Sequence, residues 1–423
     1  MNKLKIKDGA NSLIFLGWLI YSISYLGKLN YAANITQIID FYGVTKAEAG
    51  IVQTFFFFAY GVGQVVNGIL CKKYNIKWTI FISLFLSGVI NFILAINTNF
   101  AVIKWLWMVN GFLLSVLWPT LIRMLSSALP KKYLGKSSII MGTTVATGTL
   151  IIYSLSSIYV AFDKFKFAFY TAALADMIVA IFWLLAYKRV LETAKKQRDE
   201  KLHQTFEENP THNKAKKNGI YMLYATICIL CFCAVGVNLI KDGLITWVPS
   251  ILKEKGSMPD YISILLTILL PIVAIAGNAF ALIIHKKIPD YIKHCMTVFA
   301  VSTVFIGIII VGFKSVALML SGLVIVYFLI SSLHSLITSV FPMFMREYIN
   351  SGQSAGVLDG FCYLGSSVSS YGLGLVADHY GWNIVFWCLL SVCIMISMVC
   401  GACVFVQYTI KNKKEGDCFE NIN

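Results

Sequence analysis

The chain has 423 residues, of which 58% are hydrophobic and only 13% are charged. A soluble domain is usually about 45–50% apolar and about 25% charged, so this composition and a mean hydropathy of +0.75 exclude a water-soluble enzyme of one or two domains. The 35 Lys and Arg against 20 Asp and Glu give a net charge of +15. These basic residues lie between long apolar runs rather than on one face of a folded domain, so nucleic acid is not expected as a partner.

Twelve apolar runs are long enough to cross a bilayer as helices, which takes about 20 residues each. We number them spans 1 to 12, and they cover residues 12–35, 49–70, 78–97, 101–125, 137–160, 167–187, 220–248, 261–284, 295–313, 316–343, 353–376 and 382–407. Span 1 is too long for a cleavable signal peptide and has no small-residue cleavage site before span 2. The sequence therefore predicts an all-α integral membrane protein.

One long polar interruption, residues 188–218, follows span 6 and divides the chain into two sets of six spans. This division predicts an N-terminal six-helix bundle over 1–187, a basic linker, a C-terminal six-helix bundle over 219–410 and a tail over 411–423. We interpret the linker as a solvated tether. A weak contact with anionic lipid headgroups, or a docking site, remains an alternative.

The distribution of Lys and Arg predicts the orientation, because short cytoplasmic loops are enriched in these residues. If the N-terminus is inside, inside segments hold 25 of the basic residues and outside segments hold 7. Both termini are therefore expected in the cytoplasm, and we expect a multi-pass protein of the plasma (inner) membrane.

Two lysines recur at similar depth in matching spans of the two halves. Lys28 lies in span 1, 21 residues after Lys7, and Lys241 lies in span 7, 24 residues after Lys217. A cation at the bilayer centre costs about 2.5–3.5 kcal/mol on insertion scales, unless it snorkels to the headgroups. For one lysine alone the two interpretations are balanced, but the symmetric pair favours two ammonium groups that face one cavity. Converging cations predict an anionic ligand, and lysine binds phosphate as a compact point charge.

Other polar residues fall at helical spacing where they can line the same cavity. The substrate-binding candidates beside the two lysines are Tyr21, Tyr25, Tyr60, Gln64 and Tyr363. The candidates for coupling or gating are Asp359, Asp242, Arg123 and His334, with Asp176 as a weaker one. Gly352, Gly356 and Gly360 form a small-residue stripe that favours close helix packing.

The sequence offers no chemistry for bond breaking. It contains no Ser/His/Asp cluster, no HExxH motif and no complete phosphate-binding loop. We therefore expect neither an enzyme nor an ATP-driven pump, and we expect no cofactor and no metal.

Short segments spread over most of the chain resemble the organophosphate:phosphate antiporters, a family within the major facilitator superfamily. These segments are Tyr25–Tyr31, Ala59–Gly61, Gly111 with Trp118, Pro119 and Arg123, Lys241–Gly243 with Trp247–Pro249 and Leu252–Lys253, and Tyr363–Ser366 with Asp378, Gly381 and Trp382. The resemblance implies a twelve-helix major facilitator fold without an enzymatic activity. It also implies that Lys28 and Lys241 stand where the family carries two arginines that hold a phosphoryl group.

Besides the two lysines, the chain departs from the family pattern within its spans and in the loop after span 2, where residues 68–73 lack the acid usual in the superfamily. Gln64 stands where the family has a lysine, Thr143–Val145 where it has a histidine, and Asp242 where it has a tyrosine. These departures leave the substrate open among a smaller anion, a carboxylate and a zwitterionic phosphonate or phosphate ester balanced by Asp242 or Asp359.

The sequence favours a secondary transporter of a small organic anion. The expected substrate is a phosphorylated metabolite or phosphate, taken up by exchange, and the expected mechanism is a rocking of the two bundles around the two lysines. One alternative is a proton symporter of a carboxylate or other organic anion, with Asp359 as the proton carrier. Another is a transporter-like membrane sensor that signals through the linker. A monomer is expected, because the fold closes its own cavity.

Overall fold

The computed structural model describes residues 9–70, 73–202, 217–312, 315–345 and 351–420, and the elements described there are helices. The first half comprises α1 (Gly9–Ser24), α2 (Leu26–Ala33), α3 (Ile35–Tyr42), α4 (Lys46–Leu70), α5 (Ile76–Ile96), α6 (Phe100–Ser115), α7 (Leu117–Ala128), α8 (Lys131–Gly142), α9 (Thr144–Ala161) and α10 (Phe167–Leu202). The second half comprises α11 (Lys217–Gly256), α12 (Asp260–Thr267), α13 (Leu269–Lys287), α14 (Tyr291–Val311), α15 (Val316–Ser335), α16 (Phe341–Phe344), α17 (Ser351–Tyr380) and α18 (Trp382–Glu420).

Within the described residues, eleven helical segments are long and apolar enough to cross a membrane, and they correspond to eleven of the predicted spans. The remaining predicted span, 353–376, is α17, which has ample length at 30 residues. It is more polar because Asp359 and a run of serines interrupt its apolar residues. The expected all-α membrane fold is confirmed.

Two of the spans break where a proline removes a backbone donor. Proline has no N–H to bond the carbonyl four residues earlier, and its ring clashes with that carbonyl. Pro119 accordingly follows the end of α6 at Ser115, and Pro271 follows the end of α12 at Thr267. Span 10 instead contains a single π-helical turn, Leu336–Val340, between α15 and α16.

The helices run past the predicted boundaries of the linker. Helix α10 continues to Leu202 and α11 begins at Lys217, because Ala, Glu, Lys, Gln and Arg around 188–202 all favour helix once the apolar stretch has ended. Residues 203–216 of the predicted linker lie outside the described residues. We call the side of the molecule where α10 ends and α11 begins the linker end, and the opposite side the distal end.

Helices α4 and α17 join the two halves through a close backbone contact. A Cβ atom on Gly61 would lie 3.0 Å from the Cβ of Tyr363, and one on Gly360 would lie 2.6 Å from the side chain of Val65. Gly356 similarly faces the carbonyl of Gln64 at 3.3 Å. The part of the predicted glycine stripe formed by Gly356 and Gly360 therefore packs against α4.

We expect Gly111→Ala to destabilise the first half of the molecule. An added Cβ at Gly111 would lie 2.4 Å from the backbone oxygen of Phe56, and backbone cannot move aside as a flexible side chain can. Such overpacking typically costs about 1–3 kcal/mol, so the melting temperature of the detergent-solubilised protein should fall. Gly307→Ala is the matched control, because a Cβ there has no atom within 4 Å; equal melting temperatures for the two variants would contradict this account of the packing.

Candidate functional site

A cavity of about 80 Å³ lies between the two halves, with walls from both of them. A water molecule needs roughly 10–15 Å³ of such volume, so the cavity has room for several waters or for a group the size of a phosphate. The residues that line it are Tyr21, Tyr25, Trp118, Met141, Gly142, Val145, Ala146, Thr149, Lys241, Pro271, Ala274, Asn278, Tyr327, Ser331, His334, Ser335, Thr338, Ser339, Asp359 and Tyr363.

The cavity extends from the middle of the molecule towards the linker end. On α17, the lining residue Asp359 comes one turn before Tyr363, nearer the N-terminal end of that helix. On span 10, the lining residues run on to Thr338 and Ser339, close to the same end of the molecule. The structure therefore places the cavity on the linker side of the cluster around Lys28.

The ammonium group of Lys28 lies in a cage of three tyrosine rings. Its Nζ is 3.9 Å from the ring centroid of Tyr60, 4.3 Å from that of Tyr363 and 4.7 Å from that of Tyr25. It also donates a hydrogen bond of 2.5 Å to the Tyr363 hydroxyl. Only 3% of the residue is exposed, so Lys28 lies inside the protein.

The tyrosines of the cage come from both halves and contact one another. The hydroxyls of Tyr21 and Tyr60 are 3.3 Å apart, and the rings of Tyr60 and Tyr363 have centroids 4.4 Å apart. Cation–π contacts gain strength when desolvated, so this cluster partners a buried cation without a carboxylate. Lys28 and Tyr60 themselves lie just behind the cavity wall, whereas Tyr21, Tyr25 and Tyr363 form part of it.

Lys241 lines the cavity and forms an ion pair with its chain neighbour. Its Nζ is 3.0 Å from Oδ1 of Asp242, and only 8% of each residue is exposed. The other carboxylate oxygen of Asp242 accepts hydrogen bonds from Ser366 Oγ at 2.6 Å and from Asn238 Nδ2 at 3.1 Å. Asp242 is therefore fixed behind the wall, and it holds the Lys241 ammonium at the cavity surface.

Asp359 and His334, two of the coupling candidates, also line the cavity. Asp359 is 7% exposed, and its carboxylate makes no hydrogen bond or ion pair with any described residue. Sγ of Cys362 lies 3.9 Å from Nδ1 of His334.

Three of the candidate residues lie away from the cavity wall. Gln64 is fully buried on α4, and neither of its amide atoms has a hydrogen-bond partner among the described residues. Arg123 donates to the carbonyl oxygen of Tyr74 at 2.8 Å within the first half. Asp176 lies inside the same half and accepts a hydrogen bond from Ser87 Oγ at 2.9 Å.

Span 10 supplies several wall residues that sequence reasoning missed. Tyr327, Ser331, Ser335, Thr338 and Ser339 all reach the cavity. Their spacing of three, four or eight residues places most of them on one helical face, and this polar face within an apolar span was the available signal. The π-helical turn at Leu336–Val340 adds to it, since such turns are frequent at functional sites.

Ion pairs between the two halves close the distal end. Lys46 on α4 lies 3.1 Å from Glu254 and 3.7 Å from Asp378, which belong to the second half. Lys253 lies 2.6 Å from Asp40 of the first half and 3.1 Å from Asp260 of its own half, so three of the four pairs join the two halves. We call these four ion pairs the distal seal.

Further hydrogen bonds between the halves reinforce the distal seal. Gln37 Nε2 donates to Asp260 at 2.9 Å, and the backbone N–H of Ala47 donates to Asp378 at 2.7 Å. The structure thus has a sealed distal end and a cavity that extends towards the linker end.

The sequence profile of the Major Facilitator Superfamily matches residues 17–370. The chain is 23% identical to the glycerol-3-phosphate transporter of Bacillus subtilis over 421 residues, which cover 96% of this chain and 92% of the relative. It is 22% identical to human sugar phosphate exchanger 3 over 382 residues, 80% of this chain and 76% of that protein. The membrane sensor protein UhpC of Escherichia coli is 27% identical over 95 residues, and this match spans 22% of each chain.

Solved transporter structures have the same fold. A bacterial homolog of the human lysosomal transporter Spinster, in an inward-facing and occupied conformation, superposes with a TM-score of 0.71 at 12% identity, covering 93% of this chain and 96% of the other. The xylose transporter XylE of E. coli, in a partially occluded inward-open conformation, gives a TM-score of 0.67 at 9% identity over 92% of this chain and 98% of the other. At these identities the likeness concerns the fold alone.

We expect the double variant Lys46→Ala/Lys253→Ala to open the distal end. Each exposed ion pair is worth about 0.2–1 kcal/mol, so removing the three that join the halves shifts the balance towards an open distal end several-fold. The measurement uses a cysteine introduced by Ser250→Cys, because Ser250 is buried near that end. We expect a membrane-impermeant maleimide to label this cysteine faster in the double variant. The same protein without Ser250→Cys gives the background labelling of the native cysteines.

Lys104→Ala is the control for that experiment, because the described contact of Lys104 is with Trp105 on its own helix. Unchanged labelling in the double variant would show that the distal seal does not hold the halves together.

Proposed function

Because the chain belongs to the Major Facilitator Superfamily, we propose that it is a secondary transporter that exchanges a phosphorylated metabolite for another such compound or for inorganic phosphate. The observation that carries the proposal is the pair of buried lysines from matching helices of the two halves. Lys241 faces the cavity and Lys28 lies directly behind Tyr363 in its wall. An anion is the ligand that such a pair favours.

A phosphoryl group entering from the linker end meets Lys241 together with the hydroxyls of Tyr21, Tyr25 and Tyr363. Lys28 lies directly behind Tyr363, because the Tyr363 hydroxyl accepts a hydrogen bond from the Lys28 ammonium. A phosphoryl oxygen is a stronger acceptor than a phenol, since charge-assisted hydrogen bonds are roughly twice as strong as neutral ones. Binding therefore draws Lys28 of the first half and Lys241 of the second half towards one anion.

This attraction explains how binding is coupled to movement of the halves. In alternating access, one bundle rocks against the other around a fixed central site. An anion bound by both halves closes the cavity at the linker end, and the distal seal then opens. We take the bundles 1–187 and 219–410 as the moving units, with residues between them as the tether.

The excess of basic residues in alternate loops supports cytoplasmic termini, with the linker end in the cytoplasm and the protein in the plasma membrane. The cavity lies within one chain, which supports a monomer. The relatives named for hexose phosphate, glycerol-3-phosphate and sugar phosphates support a phosphate ester as the substrate.

The direct test uses liposomes that contain the purified protein and are preloaded with inorganic phosphate. We expect labelled phosphate to enter by exchange and phosphate esters to compete with it. Phosphonates and simple carboxylates are tested as competitors of labelled phosphate in the same assay, for comparison with the esters. Uptake of a carboxylate on an imposed proton gradient, without any phosphate exchange, would overturn the proposal in favour of an anion symporter.

We expect Lys28→Ala to reduce phosphate exchange about thirtyfold or more. Removing one charge of a buried, hydrogen-bonded recognition pair costs about 2–5 kcal/mol, which corresponds to factors of this size. Initial exchange rates are to be compared at equal protein density, with size-exclusion profiles to confirm folding. Lys104→Ala is the matched control and is expected to exchange at the normal rate; full exchange in Lys28→Ala would refute the role of Lys28.

A further inference from the structure

One carboxylate in the cavity makes no hydrogen bond or ion pair with the part of the chain that the structure describes. Asp359 and Asp242 are equally buried acids of the second half, and their surroundings differ. Asp242 is held by Lys241, Ser366 and Asn238. Asp359 has no hydrogen bond or ion pair among the described residues, and it faces the open volume of the cavity.

A buried carboxylate is stable when a cation or a set of donors satisfies it, and costly otherwise. Among the described residues, the cations whose charge acts on Asp359 are Lys28 and Lys241, and both are already engaged. Lys28 is enclosed by three rings and donates to Tyr363, and Lys241 is paired with Asp242. An ammonium group that enters the cavity would therefore give Asp359 an ion-pair partner.

The formal charges around the cavity also balance before any ligand arrives. Lys28 and Lys241 contribute two positive charges, while Asp242 and Asp359 contribute two negative ones. A phosphate ester of a neutral alcohol brings its negative charge into this balanced site and close to Asp359. A phosphate ester that also carries an ammonium group places a positive charge there instead.

We propose that the transported compound is a phosphorylated amine, whose phosphoryl group binds between Lys28 and Lys241 and whose ammonium group binds Asp359. This inference rests on the proposed exchange of phosphate esters and specifies which esters the site selects. It assigns Asp359 as the residue that determines specificity.

The helix geometry sets the length of such a compound. Asp359 and Tyr363 are four residues apart on α17, so they share one face and are separated by roughly 6 Å along the axis. Tyr363 marks the position of the Lys28 ammonium, and Asp359 lies on the side where the cavity continues. An aminoalkyl phosphate or an amino sugar phosphate has an ammonium and a phosphoryl group at about this separation.

The test compares pairs of phosphate esters that differ in the amine. The probes are 2-aminoethyl phosphate against 2-hydroxyethyl phosphate, and glucosamine 6-phosphate against glucose 6-phosphate. Each competes with labelled phosphate for exchange in liposomes preloaded with inorganic phosphate. We expect the amine of each pair to compete at a concentration about tenfold lower or less, because its ammonium satisfies a buried charge.

The decisive variant is Asp359→Asn, which keeps the shape of the side chain and removes its charge. We expect it to lose the preference for amines, so that both members of each pair compete at similar concentrations, and a size-exclusion profile like that of the original protein shows that it is folded. Asp163→Asn is the matched control. Asp163 is exposed in a turn with φ of 57°, a conformation that asparagine also adopts, so the preference should persist.

The outcomes separate the two proposals. If the original protein exchanges no phosphate and no ester, the proposed function itself is wrong. If it exchanges esters but treats the members of each pair alike, or if Asp359→Asn keeps the amine preference, the inference about Asp359 is overturned and the exchange stands. If Asp359→Asn abolishes accumulation of the hydroxyl-bearing esters on a proton gradient, Asp359 carries a proton and the amine proposal is likewise overturned.

Discussion

The need to satisfy a buried cation shapes the centre of this molecule. Lys28 lies in the low-dielectric interior and is partnered by three tyrosines, two from its own half and Tyr363 from the other. That arrangement requires α4 and α17 to approach closely, and the glycines at Gly61 and Gly360 permit it. The contact that stabilises the charge is therefore also the contact that joins the two halves.

Irregular backbone is concentrated around the cavity, as expected for a membrane interior that tolerates it only where protein or a cavity surrounds it. Cavity residues lie at or within three positions of one helix break in each of spans 1, 4, 5, 8 and 10, namely Tyr25, Trp118, Gly142, Pro271 and Thr338. The second break in span 1, at Asn34, lies away from the cavity. The same positions suit rocking of the halves, because a broken helix bends with less loss of hydrogen bonding than a continuous one.

Sequence reasoning located the fold and the two lysines because both follow from local rules. An apolar run of about 20 residues has few alternatives to a spanning helix, and a charge within it signals function. Sequence reasoning could not distinguish residues that line the cavity from residues that lie behind its wall. Gln64 and Tyr60 have the same helical spacing as Asp359 and Tyr363, but only the latter two line the cavity, since that depends on how α4 and α17 are rotated against each other.

The sequence by itself determined the class of protein, the number of spans, their division into halves and the recurrence of a lysine in each half, because these depend on hydropathy and position along the chain. The tertiary structure alone decided which charges are paired. Asp242 is neutralised by its neighbour Lys241 and by Ser366, 124 residues away, while Asp359 is left open to the cavity. Partnering of this kind depends on distances between helices, and those distances are set by packing of the whole chain.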